Sequence, residues 1–106
     1  QLEDAVRREL SARERSGIME ALAAAESLLR DVLVCREGTA DTVVNEDRRD
    51  AVERIASQAS TAGVIGALEA CRAAEDDVIH NVTPQLALEV MLLTIKEALA
   101  CPPSYR

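Results

Sequence analysis

Apolar residues at Leu2, Val6 and Leu10, then at Ile18, Leu22, Ala25, Leu29, Val32 and Leu33, keep the spacing of one helix face. Ser16-Gly17 is the weak point between the two groups, so the pattern predicts a long first helix, kinked or interrupted near Gly17. Gly38 suits the left-handed residue that ends a helix, and Thr39 to Val44 read as a connector. Asn45 is placed to cap the next helix, which runs from Glu46 to about Gln58 and carries a narrow stripe of Ala51, Val52, Ile55, Ala56 and Ala59. Ser60-Thr61 offers a further cap, after which Val64, Ala67, Leu68, Cys71, Ala74 and Val78 continue a helix to about His80-Asn81. Gly63 and Gly66 either weaken its first turns or permit close contact with another helix.

The sharpest local signal is Asn81-Val82-Thr83-Pro84. Thr83 can cap, and Pro84 fits a first helical turn, where its missing N–H costs nothing. Leu86, Ala87, Leu88, Val90, Met91, Leu92, Leu93 and Ile95 then surround Glu89 and leave almost no polar face. A helix apolar all round belongs in an interior or an interface. Cys101-Pro102-Pro103 stops it, and residues 101–106 read as a loose tail. With no alternating strand pattern, the fold class is all-α: a small bundle of four to five helices with a long first helix and a nearly all-apolar last one.

Composition narrows the chemistry. Tyr105 is the one aromatic residue, so the core is aliphatic and base-stacking platforms are missing. The net charge of -7 repels phosphate, and the arginines of the first helix are interleaved with acids. Glu3 with Arg7, Asp4 with Arg8 and Glu9 with Arg13 stand four apart in the order that supports an exposed helix. No direct nucleic-acid contact is expected, and no apolar run is long enough for a membrane span.

Cys35, Cys71 and Cys101 form no Cys-x-x-Cys pair and read as reduced thiols of a cytoplasmic protein. Each lies on an apolar helix stripe or in the tail, which argues against a nucleophile. A Walker-type phosphate loop is missing. Asp77-x-x-His80 has the spacing with which bundles ligate iron, but such sites need two copies and further carboxylates. A carboxylate amid aliphatic residues needs a partner, and Arg30 is the candidate for Glu89, as a buried or half-buried pair that sets helix register. The site reading is therefore no catalytic, cofactor-binding or metal-binding residue, and no cofactor.

Three blocks carry a resemblance. The segment from Asn81 to Leu93, with its Asn-x-x-Pro-x-Leu-x-Leu-Glu core, resembles the C-terminal end of bacterial DNA polymerase III clamp-loader subunits, the delta-prime subunit most closely. Leu29-Arg30-Asp31-Val32-Leu33-Val34 looks like the Arg-Asp helix of that family, and Val43-Val44-Asn45 like the Asn-ended stretch that follows it. The resemblance implies a non-catalytic collar domain over residues 1–100, cut from the C-terminal part of a longer chain. Such a domain holds the five-subunit loader together through contacts with the gamma/tau and delta subunits while the sliding clamp is loaded. It marks Arg30, Asp31, Asn81, Pro84 and Glu89 as structural positions. A gamma/tau or delta collar, an unrelated helical adaptor, and a metal or redox bundle built on Asp77, His80, Glu89 and a cysteine are the competing readings.

Overall fold

The computed structural model describes residues 2–38 and 42–100. Helix α1 (Leu2–Arg36) runs without a break. At 1.5 Å per residue its 35 residues span about 52 Å, and they set the longest dimension of a molecule measuring 56 × 27 × 16 Å. The expected long first helix is present, and Gly17, its weak point, does not interrupt it. One glycine costs a helix only about 1 kcal/mol, and the strong helix formers on either side outweigh it. Of the three expected ion pairs near the start of α1, Glu9 with Arg13 closes at 3.4 Å; the Glu3–Arg7 and Asp4–Arg8 pairs do not form among the described residues. Fully solvated side chains gain too little from such contacts to be held in one geometry.

Gly38, at φ +83, ends α1 in the left-handed conformation that glycine adopts without cost. A single 3₁₀ turn (Glu46–Arg48) leads into α2 (Arg49–Gln58), followed by α3 (Thr61–Ile79) and α4 (Pro84–Leu99). The caps differ from expectation at two places. Asn45 makes no side-chain cap, because its amide is engaged with α1, and Thr83 caps through its carbonyl alone, accepting from Ala87 N–H at 3.0 Å. Ser60 does cap α3, its Oγ accepting from Gly63 N–H at 2.9 Å.

Helix α3 lies at the centre, packed against both α1 and α4, while α2 packs on α1 alone among the larger contacts. One apolar cluster joins Leu22 and Leu29 of α1 to Ala67, Leu68, Cys71 and Ala74 of α3 and Met91 of α4. A second joins Val32 of α1 to Val52 of α2 and to Ala59 and Val64. No helix carries an aromatic side chain to fill space, so the helices must come close. A Cβ at Gly63 would collide with the carbonyl oxygen of Ala98, which makes the close-contact role of this glycine the operative one. The tail expected over residues 101–106 lies outside the described residues.

Candidate protein interface

Among the described residues, two aliphatic surfaces stand exposed on the outside of the bundle. On α4, Ala87 and Met91 are buried, and Leu88, Ile95 and Ala98 pack partly against the core. The opposite side carries Leu86, Val90, Leu92 and Leu93, each at least half exposed. Together with Glu89 these four line a shallow, predominantly apolar groove of about 540 Å³. Helical geometry places 86, 90 and 93 in one row and 89 beside it, so a helix apolar on both faces presents one face outward. The second surface is the N-terminal half of α1. Every described residue from Leu2 to Gly17 is exposed, and Leu2, Val6 and Leu10 form a row at i, i+4, i+8 along this arm. Aliphatic rows of this size left open to water are the mark of a contact surface.

A polar anchor lies elsewhere, between α1 and the connector that follows it. Asp31 on α1 is 3% exposed, and its carboxylate accepts from Val44 N–H at 3.0 Å, Asn45 N–H at 2.8 Å and Asn45 Nδ2 at 2.7 Å. The same Asn45 amide donates to Ser27 Oγ at 3.0 Å. Burial pushes the Asp31 carboxyl up, but the Val44 and Asn45 donors, with the charge of Arg49, outweigh it and hold it below the usual carboxylate value. The end of the connector is thus strapped to the C-terminal third of α1, with Val43 buried beneath it. Arg36 does the same further along: Nε donates to Thr61 Oγ1 at 3.0 Å and Nη1 to Ala56 O at 2.6 Å, tying α1 to the junction of α2 and α3. Sequence reasoning missed this strap, since an arginine in a last helical turn signals nothing more than dipole compensation.

The other marked positions fall apart spatially. Arg30 is exposed and stands 3.6 Å from Glu26 Oε2, one turn back on its own helix, while Glu89 sits on the outer side of α4. The expected Arg30–Glu89 pair therefore does not form: the apolar neighbours of Arg30 along the chain occupy other faces of α1. Asn81 has φ +67, with Val82 N–H donating to Asp77 O at 2.8 Å and Asn81 N–H to Val78 O at 3.2 Å. That is the Schellman closure of α3, with asparagine at the left-handed position. Pro84 begins α4.

The described residues hold no group of three or more His, Cys, Asp or Glu able to bind a metal ion. His80 Nδ1 lies 2.8 Å from Asp76 O, at the end of its own helix, whereas Asp77 lines a small cleft with Ala74, Ala87 and Met91. Burial, then Glu53, pushes the Cys35 thiol up; burial, then Glu26 and Glu75, does so for Cys71. Both are kept from the thiolate form a nucleophile needs. Glu26, 12% exposed, has a buried Oε1 without a partner, and Glu75 beside it is pushed up by burial and then by Glu26. This is a pair of carboxyls sharing too few donors, not a catalytic dyad with a cavity.

Residues 7–97 match the family model described as DNA polymerase III, delta subunit, C terminal. Neither the curated proteins nor the solved structures gave a match. The matched range takes in the Asp31–Asn45 strap, the Asn81 closure and the whole outer groove of α4. The chain therefore belongs to the family of C-terminal domains of the DNA polymerase III delta subunit, a non-catalytic part of the clamp loader.

Proposed function

We propose that this domain is a collar module, which holds clamp-loader subunits together and is delta-prime-like in its place within the loader. One observation carries the reading: within the matched range, α4 turns Leu86, Val90, Leu92 and Leu93 outward around Glu89, giving the helix a second apolar face that the described residues of the bundle leave bare. The tightly packed α3–α4 pair would keep that face rigid. Partners of this reading are the gamma/tau and delta subunits, with the cytoplasm as the compartment. The delta-prime position is supported by the three sequence blocks at Leu29–Val34, Val43–Asn45 and Asn81–Leu93. A delta collar is the second reading, favoured by the match to the delta-subunit family over residues 7–97.

The test is co-purification of the chain with the other clamp-loader subunits of the same organism, followed by light scattering on the eluted complex. A stable mixed complex, lost in a Leu93→Asp variant that still folds, is the expected result, and its stoichiometry separates delta-prime from delta. A well-folded chain that captures none of the subunits overturns the reading.

A further inference from the structure

We propose that the narrow cleft between α3 and α4, on the flank of the outer groove, receives one arginine side chain from an unlike subunit, with the guanidinium on Asp77. This contact selects the subunit that docks on α4. The inference rests on reading α4 as an inter-subunit surface, and it names the side chain by which that surface tells its partner from other helices.

The cleft holds about 90 Å³, room for the end of one side chain and too little for a metabolite, whose pockets run to at least about 300 Å³. Ala70, Ala73 and Ala74 of α3 with Ala87 and Met91 of α4 give it short, apolar walls, and Asp77 ends the α3 row at i, i+3, i+4 and i+7. A long aliphatic stem fits against such walls while its charged head reaches the carboxylate. Val90 belongs to both the cleft and the groove, so a helix lying along Leu86, Val90 and Leu93 can turn one side chain into the cleft. Charge decides which one. Among the described residues neither Asp77 of the cleft nor Glu89 of the groove makes an ion pair within the chain. An acid left without a cation beside an apolar contact surface favours a basic visitor and penalises an acidic one. Arginine suits the cleft better than lysine, because its flat, weakly hydrated guanidinium gives up less water on entering an apolar slot and can grip a carboxylate with two N–H groups. The net charge of -7 sets copies of this chain against one another, which points to an unlike, more basic partner.

The purified chain, titrated with each of the other clamp-loader subunits of the same organism in turn, should bind one of them tightly. Asp77→Asn should weaken that binding about thirtyfold and Asp77→Arg should abolish it, neither melting below the parent protein. Ala73→Leu, at an exposed position, should block the cleft by bulk and weaken binding to the same extent. Exchanging the partner's surface arginines for glutamate one at a time should yield one variant that binds the Asp77→Arg chain and no longer binds the parent. A chain that loses its partner through Leu93→Asp but is indifferent to Asp77→Arg and Ala73→Leu overturns the proposal and leaves the collar function standing. Rescue by none of the arginine exchanges overturns it as well. A folded chain that binds none of the subunits ends both readings together.

Discussion

Asp31 shows how much one side chain can hold. Its carboxylate satisfies two backbone N–H groups and the amide of Asn45 where water has no access. Asp31→Ala would strand those donors, and a loss of about 3 kcal/mol in urea unfolding is expected. Because the folded-state carboxyl titrates below its unfolded value, its contribution is present above about pH 4 and fades as the pH falls through the folded value. Asp31→Asn should flatten that acid limb. Glu75 behaves oppositely: its raised carboxyl favours the fold when protonated, and this contribution is lost as the pH rises. Glu75→Gln is therefore expected to melt above the parent protein at pH 7 and to converge with it in acid. Family resemblance singled out Asp31 and Asn81, but periodicity could not, because a buried carboxylate and a left-handed asparagine are defined by backbone groups far away in space or by a dihedral angle. The Arg30–Glu89 expectation failed for a related reason. It counted apolar neighbours along the chain, whereas burial depends on neighbours around the helix.

At the scale of elements, the 3.6-residue pattern delimited the helices closely, since each carries an apolar stripe and the boundaries are marked by Gly38, Ser60-Thr61, Asn81 and Pro84. What the pattern left undecided was how two signals trade off. Gly17 has open space around its missing Cβ and sits in mid-helix, so Gly17→Ala should raise the stability of α1 by up to about 1 kcal/mol. Gly63 looks similar in sequence yet lies where α3 and α4 touch. Gly63→Ala must push Ala98 away, and a loss of about 2 kcal/mol in thermal unfolding is expected, with Gly66→Ala much milder because its Cβ would meet Ala98 Cβ at an ordinary 3.6 Å. Two glycines of one sequence pattern thus give changes of opposite sign. The apolar character of α4 was equally legible, but which side faces water depended on the choice of α3 as its packing partner.

Among the described residues, the bundle packs residues 18–36 and 49–99 together, while the first turns of α1 make no tertiary contact. Leu93→Asp should leave the melting temperature within a degree or two of the parent protein, since side chains exposed on the surface contribute little to folding. An isolated helical stretch as short as this arm is marginal in water, so its amides should exchange far faster than those of residues 22–33 in dilute solution. The unbroken passage of α1 from core to solvent also has a mechanical meaning. The arm is a lever about 22 Å long, rooted in the first apolar cluster through Ile18 and Leu22. A tilt of about 5° at its root moves the tip by about 2 Å, roughly the radius of a side chain. Small rotations of the bundle are thereby amplified at whatever surface holds the tip, and a force applied there is delivered back at Ile18 and Leu22.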